Sequence, residues 1–167
     1  MRRKEREIQD RQEIFDVLRR CDTVRIGIMG EKYPYVVPVS FGMEVVDDKA
    51  VIYFHCARQG MKLDLLAKNN NVCVEGDIFI KIEPTAHGIT ARYESVIGFG
   101  TCNFVEDPEE IIHALKLLTE RYGYFNYPLD RCRGLEHLYV GKIVLDEITG
   151  KRNLPESEQV GFVPCEA

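Results

Sequence analysis

Hydrophobic and polar residues alternate, or hydrophobic residues run together, in several short segments of this chain. The segment 23–29 alternates Val24, Ile26 and Ile28 with polar residues and glycine, which is the pattern of a strand with one buried face. Further segments of this kind lie at 35–41, 45–46, 49–54, 72–82, 93–105 and 138–148. The pattern predicts a chain built mainly of β-strands.

Three other segments repeat their hydrophobic residues with helical spacing. They are residues 6–20, the short stretch 60–69 and a longer segment that begins at Asp107. At Asp107 the letters DPEE supply an N-cap aspartate, a proline at the first helical position and two glutamates in the first turn. The order is one helix, a run of strands interrupted by the short helix, the longer helix and a final strand. This order is typical of an antiparallel barrel with peripheral helices.

Pro38 stands in the middle of the predicted strand 35–41. Because proline cannot donate a ladder hydrogen bond, it predicts an edge strand or a bulge, where backbone groups are free to meet a ligand. An edge strand with nothing bound fits the same pattern. Gly98 and Gly100 in the segment 93–105 predict a sharp bend or a close approach of two backbones.

The segment 51–69, VIYFHCARQGMKLDLLAKN, begins its helix with positive charge. Arg58 and Lys62 stand where the helix macrodipole already places partial positive charge, and acidic residues are usual there. Gly60 would let a phosphate approach the free backbone amides closely, so the segment is compatible with an anion site. Taken alone, it is also compatible with cationic side chains that extend into water. The helix that begins at Asp107 has the usual acidic start, and this contrast favours a ligand at the cationic start of the segment 60–69.

The composition, 45% hydrophobic and 29% charged, is ordinary for a soluble globular protein. The 167 residues suit one domain with one core, which we place at 1–154, followed by a tail at 155–167 that is either flexible or tied to a partner chain. The net charge of -5 and the pI near 5.4 argue against nucleic-acid binding. No hydrophobic run suits a membrane span or a signal peptide, so we expect a cytoplasmic protein without membrane association.

The six cysteines are widely spaced and form no CxxC pair. This spacing suggests neither a zinc site nor a disulfide framework, and we expect no metal. Cys73 and Cys102 lie in predicted strands, where we expect them to be small core residues of a reduced protein.

Four segments together resemble the flavin-binding proteins related to pyridoxamine 5'-phosphate oxidase. They are PVSF at 38–41, YFHCARQGMK at 53–62, YESVIGFG at 93–100 and ITGK at 148–151. The most specific part is H-x-A-x-x-G-x-K, formed by His55, Ala57, Gly60 and Lys62. Within that family the chain resembles the nitroimidazole-resistance branch, often called Nim proteins.

The resemblance implies a six-stranded antiparallel split β-barrel with flanking helices, assembled as a homodimer with FMN at the dimer interface. It implies that Lys62 is the phosphate cation and that Lys151, with Arg152, reaches the site after the last strand, across the dimer. The positions that match the family's cofactor site are Pro38, Val39, Ser40, Phe54, His55, Ala57, Lys62, Ser95, Val96 and Lys151.

The chain departs from pyridoxamine 5'-phosphate oxidase itself, whose C-terminal tryptophan and arginine signature is missing, since the chain contains no Trp. We therefore expect an FMN-dependent reductase that takes electrons from a nicotinamide donor and passes them to a nitroimidazole-like acceptor. His55 is the candidate proton donor on the substrate side, and a strand-end histidine that only packs against the flavin is the equal alternative. A flavin-binding module without turnover, used for storage or sensing, and a haem protein with His55 as axial ligand are the competing hypotheses.

Overall fold

The computed structural model describes residues 2–86, 88–129 and 134–155. Three α-helices occur in this part of the chain: α1 (Arg11–Arg20), α2 (Met61–Lys68) and α3 (Pro108–Arg121). The strands are β1 (Glu7–Ile8), β2 (Val24–Ile28), β3 (Tyr35–Val39), β4 (Gly42–Val46), β5 (Lys49–Ala57), β6 (Asn71–Thr85), β7 (Gly88–Phe104) and β8 (Leu138–Asn153). Short 3-10 turns lie at Lys4–Arg6 and Leu135–His137.

All these strands belong to one antiparallel sheet with the order β3, β2, β6, β7, β8, β5 and β4, while β1 pairs with one end of β8. Every strand from β2 to β8 contributes side chains to one hydrophobic cluster, so the sheet curls around it. Among the described residues no ladder joins β3 to β4, which leaves the barrel split. The predicted fold class, mainly β with an antiparallel split barrel and flanking helices, is confirmed.

Two helices close the core from different sides. α1 places Phe15 and Leu18, both fully buried, in the cluster inside the curled sheet. α3 packs Ala114 and Leu115 on the outer side of β5 and β8 in a second, smaller cluster. Burial of these hydrophobic faces is the main stabilising contribution, at roughly 25 cal/mol per Å² of apolar surface removed from water.

The ends of several elements differ from the sequence-based prediction. The first helix begins at Arg11 rather than at residue 6, because the Asp10 carboxylate accepts hydrogen bonds from the amides of Gln12 and Glu13 and fixes the helix start there. Glu7 and Ile8, predicted as part of this helix, form β1 instead. The sheet thus has eight strands, where the resemblance implies six.

The last three strands of the predicted set are longer than expected. Between the predicted strands 72–82 and 93–105, β6 continues to Thr85 and β7 begins at Gly88, and β8 runs through residues 149–153. β3 pairs only with β2, so the prediction that Pro38 marks an edge strand is confirmed. The close approach predicted at Gly100 is also confirmed, because a Cβ there would lie 1.9 Å from the Val144 carbonyl oxygen.

β6 and β7 extend beyond their neighbours as a two-stranded ribbon at residues 80–91. One face of the ribbon is polar, with the Glu83 carboxylate bonded to Lys81 at 2.9 Å and to Arg92 at 2.6 Å. The opposite face carries Ile82 and Ile89, whose exposed fractions are 65% and 78%. The ribbon is therefore amphipathic, and its apolar face is open.

The described cysteines, Cys21, Cys56, Cys73 and Cys102, are all free. Cys102 is buried in the core as predicted, and its pKa is raised to about 12, chiefly by burial. The prediction for Cys73 is wrong, since this residue is only half-buried and lines a groove on the outer face of the sheet. The other two cysteines and the tail from residue 156 lie outside the described residues, so the domain boundary remains a prediction.

None of the described helices is both long and apolar enough to cross a lipid bilayer. The cytoplasmic location stays a prediction.

Candidate functional site

Among the three described α-helices, only α2 begins without a side-chain cap. The Gly60 carbonyl accepts hydrogen bonds from the amides of Leu63 and Asp64, while those of Met61 and Lys62 have no partner among the described residues. Gly60 has a φ of 137°, a conformation that L side chains rarely adopt. The backbone therefore presents free N–H groups beside open space.

The other two helices show the contrast that the sequence predicts. Asp10 caps α1, and the Asp107 carboxylate accepts hydrogen bonds from the amides of Glu109 and Glu110 at the start of α3. At α2 the N-cap position is Gly60, which has no side chain, and the second helical residue is Lys62, which forms no ion pair in the described chain. A cation and free amides at a helix start are the donor set that binds a phosphate.

The Lys62 ammonium lies 4.9 Å from the centre of the Phe54 ring. Phe54 is only 1% exposed and packs directly on Gly141 of β8, where a Cβ would approach the ring to 2.3 Å. The Lys62 ammonium thus lies over the face of a buried aromatic ring, and a cation in this position is attracted to the ring. Phe54 thus contacts Lys62, the predicted phosphate cation, through the face of its ring.

His55 and Ala57 lie on the opposite face of β5 from Phe54, because side chains alternate along a strand. Both are exposed on the outer face, and His55 pairs with Val140 of β8. Ser40 precedes β4 by two positions, and β4 begins where Gly42 pairs with Tyr53. The junction between β3 and β4 therefore runs beside this end of β5.

A second group of predicted residues lies elsewhere on the outer face of the sheet. Ser95 of β7 pairs with Lys151 of β8, so the two side chains share a face. Pro38 lies on the same face, since it pairs with Arg25 and Arg25 pairs with Glu75. By contrast, Val96 is buried in the core and Val39 packs against it, so these two can offer only backbone groups to a ligand.

The two groups are far apart along β8. His55 pairs with this strand at Val140, whereas Ser95 pairs with it at Lys151, near the other end. At a rise of roughly 3.3 Å per residue, a straight strand would separate these positions by about 35 Å. Within one chain, the predicted residues of β5 and α2 lie together. Ser95 and Lys151 pair with each other, but they lie near the other end of β8.

Arg152 has a structural role in this chain. Its guanidinium bonds the Glu94 carboxylate and the Glu13 carboxylate, each at 2.8 Å, and Glu94 also pairs with Arg20 at 2.5 Å. Glu94 is 3% exposed, so these arginines neutralise a buried charge and tie α1 to the sheet. The expectation that Arg152 reaches a ligand is therefore not supported, because its side chain points toward α1.

Sequence reasoning missed an open apolar groove of about 480 Å³ on the outer face. It is lined by residues of β2, β6, β7 and β8, among them Cys73 and Phe99, and by Met29, which follows β2. Sequence reasoning also missed Arg25, which lies beside Pro38 and is bonded to Glu75 and Asp77. The alternation of residues in the segments 72–82 and 93–105 marks this face, but only the strand order shows that it is continuous. The described residues contain no cluster of His, Cys, Asp or Glu that could hold a metal ion.

The family model for pyridoxamine 5'-phosphate oxidase matches residues 10–152. The chain belongs to the pyridoxamine 5'-phosphate oxidase family. The match includes β5, α2 and most of β8, and thus nearly all residues of the candidate site. A search of curated proteins finds no match.

Several solved structures are similar to this chain. A candidate 5-nitroimidazole antibiotic resistance protein from Bacteroides thetaiotaomicron is 32% identical, with a TM-score of 0.77 over 87% of this chain and 85% of that one. The flavocytochrome Anf3 from Azotobacter vinelandii is 17% identical, with a TM-score of 0.78 over 93% of this chain and 72% of that one. The FAD and heme binding protein from Mycobacterium smegmatis is 17% identical, with a TM-score of 0.71 over 94% and 81%. The first likeness confirms the resemblance to the nitroimidazole-resistance branch, and the other two show the fold.

Proposed function

We propose that this protein binds FMN and reduces nitroimidazole-like compounds with electrons from a nicotinamide donor. The observation that carries the cofactor assignment is the uncapped start of α2, where free amides and Lys62 lie over the buried Phe54 ring. These groups fit a phosphate monoester, which FMN carries at the end of its ribityl chain. The similarity to the Bacteroides thetaiotaomicron protein supports the choice of acceptor.

We further propose that a second copy of the chain completes the site. Among the residues that match the family's flavin site, His55 pairs with one end of β8 and Ser95 pairs with Lys151 near its other end. The outer face that carries Pro38, Ser95 and Lys151 also exposes large apolar side chains, among them Val36 and Phe99. A two-fold pair of chains packed through this face would cover that surface and bring Lys151 of one chain toward the α2 start of the other.

When bound, the flavin supplies hydride transfer, and the protein supplies position and protons. Lys62 and the amides at the α2 start hold the phosphate, and the β3–β4 junction offers backbone groups beside it. His55 is exposed on the outer face and is the candidate proton donor. Each hydride delivered to the nitro group is matched by a proton, and the nitro oxygens leave as water.

The test is an anaerobic reaction followed through the flavin absorbance. NADH or NADPH should bleach the bound flavin, a 5-nitroimidazole should restore the colour, and mass spectrometry should find the amine. Bleaching that a nitroimidazole does not reverse would contradict the reductase assignment and favour a flavin-binding module with another role. A Soret band would instead support haem binding through His55.

A further inference from the structure

A groove of about 510 Å³ lies between the C-terminal half of α2 and the end of β7. It is lined by residues 66–71 and 102–104, so it begins about one helical turn beyond Lys62 and is separate from the start of α2. Four of these nine residues are asparagine. The groove is large enough for a small organic molecule, and carboxamides dominate its polar groups.

Three of the four asparagines follow α2 directly and have an ordinary explanation. Asparagine favours helix ends and turns, and Asn69 Oδ1 accepts hydrogen bonds from the backbone and side-chain amides of Asn71, both at 2.9 Å. Asn103 has no such explanation, because it lies inside β7 and asparagine is depleted in strands. The reason for an asparagine at this position therefore lies in what its side chain contacts.

The Asn103 side chain contacts the turn that follows α2. Its Oδ1 accepts a hydrogen bond of 3.1 Å from Asn70 Nδ2, and the Cys102 amide donates one of 2.8 Å to the Asn70 carbonyl oxygen. The two side chains are thus held at a fixed place. Asn70 Oδ1 and Asn103 Nδ2 have no hydrogen-bond partner among the residues that the structure describes. The pair therefore still offers one acceptor and one donor group to a ligand.

An aromatic side chain lines the same groove. Phe104 is half-buried and packs on Tyr139, with ring centres 5.4 Å apart and ring planes inclined at 43°. The guanidinium of the exposed Arg58 lies 5.1 Å from the centre of the Tyr139 ring. Because Arg58 precedes α2 by three residues, these contacts join the groove to the cationic start of the helix.

These groups match the parts of an adenosine nucleotide. The edge of adenine presents an amino donor next to a ring-nitrogen acceptor, and asparagine carboxamides bind this edge. A base also stacks on aromatic side chains, and arginine pairs with phosphate. A carboxamide pair that only fastened β7 to α2 would need neither the aromatic wall nor the cation.

We propose that this groove binds an adenosine nucleotide, with adenine on Phe104 and at the carboxamides of Asn70 and Asn103, and with its phosphates toward Arg58. Two carriers of adenosine suit flavin chemistry: a nicotinamide dinucleotide and FAD. The choice of carrier rests on the proposed function, whereas the site rests on the groove.

The test is calorimetric titration of the full-length protein with AMP and with IMP. IMP carries an oxygen in place of the adenine amino group, so it lacks the donor that Asn70 Oδ1 accepts. The parent protein should bind AMP about tenfold more tightly than IMP, the difference expected for one hydrogen bond whose partner is left unsatisfied.

Asn70→Ala and Asn103→Ala should each weaken AMP binding about tenfold and should bring AMP and IMP to equal affinity. Phe104→Leu keeps an apolar side chain and should weaken both nucleotides alike, because stacking does not depend on the amino group. Gln12→Ala is the control, since Gln12 is an exposed carboxamide on α1. Thermal unfolding of each variant checks that the fold is retained.

Titrations with NADH and FAD distinguish the two carriers. If the two asparagine variants lose affinity for NADH and keep their affinity for FAD, the nicotinamide donor occupies the groove; the reverse result assigns the groove to FAD. FMN has no adenosine and should bind to the parent and to both variants equally.

A parent protein that binds AMP and IMP equally, or asparagine variants that bind AMP as tightly as the parent, would overturn the site. A protein that binds FMN but none of the adenosine nucleotides would remove this site and leave the proposed function standing. A protein that binds AMP as expected but never binds FMN would leave the site standing and remove the proposed function.

Discussion

Lys62 lies where two sources of positive charge meet. Its ammonium and the macrodipole of α2 place positive charge at the same point. Asp64 lies in the same turn but forms no ion pair with Lys62 in the described structure. A phosphate dianion would satisfy the lysine and the free amides together. At the residue scale, anion binding is therefore the simplest role for this helix start.

Lys62→Ala should weaken FMN retention about tenfold or more, because a charge-assisted hydrogen bond contributes about 1.5–3 kcal/mol. The measurement is the dissociation constant from quenching of FMN fluorescence. Lys68→Ala is the matched control at the other end of α2, where the lysine is exposed and paired with Glu31 at 2.6 Å. Equal affinities of the Lys62 variant and the parent would remove Lys62 from the phosphate role.

His55 differs from its neighbours because its side chain is exposed while Phe54 is buried. His55→Ala should retain FMN and slow nitro reduction, since it removes a proton donor on the outer face without opening the core. The rate of flavin reoxidation by a nitroimidazole, followed against pH, measures this effect. A variant as fast as the parent at every pH would leave His55 with a packing role only.

At the scale of elements, α3 is fastened to the barrel by a polar cluster as well as by its apolar face. The buried Tyr53 hydroxyl lies 3.1 Å from both Glu44 and Glu110, and the Lys142 ammonium lies 2.6 Å from Glu110. Burial raises the pKa of Tyr53, so the phenol stays protonated and can donate to a carboxylate. The cluster joins α3 to β4, β5 and β8.

The Glu110 carboxylate should contribute pH-dependent stability. The hydrogen bond from Lys142 holds the pKa of Glu110 below its ordinary value, so its contribution is present above the unfolded-state pKa and lost as pH falls through the folded-state pKa. Glu110→Gln should therefore unfold at lower urea concentration than the parent at neutral pH, and the difference should shrink below about pH 4.

Glu109→Gln is the control for that measurement, because Glu109 lies in the same turn of α3 and makes no ion pair in the described structure. A gap between the Glu110 variant and the parent that is independent of pH would show that Glu110 acts through packing instead of through its charge.

We expect the second chain of the proposed function to pack on the ribbon formed by β6 and β7. Its apolar face exposes Ile82 and Ile89, and burial of these side chains would stabilise an assembly. The double substitution Ile82→Glu and Ile89→Glu should shift the protein toward monomer in analytical ultracentrifugation and should lower FMN occupancy in step. Ile112→Glu on the exposed side of α3 is the control. A dimer that persists unchanged would exclude the ribbon from the interface.

At the scale of the whole molecule, sequence patterns predict those features that depend on residues close to each other in the chain. The strands, the cap at Asp107, the edge role of Pro38 and the unusual start of α2 follow from neighbours in sequence, and the structure agrees. β1 and the outward position of Cys73 depend instead on partners far along the chain, such as Lys151 opposite Glu7. Sequence alone cannot supply that register.

The candidate site shows the same division. The charge pattern predicts the group at β5 and α2, but only the resemblance supplies Ser95 and Lys151, and only the ladder shows that they lie at the other end of β8. The second chain of the proposed site stays a prediction, because one chain alone does not contain it.

The most direct test of the account is an absorbance spectrum of the freshly purified protein, with mass analysis of whatever a denaturant releases. The account predicts a flavin spectrum and FMN in near-equimolar amount with the chain. A colourless protein that also fails to bind added FMN would contradict it and leave the start of α2 as an ordinary solvated surface.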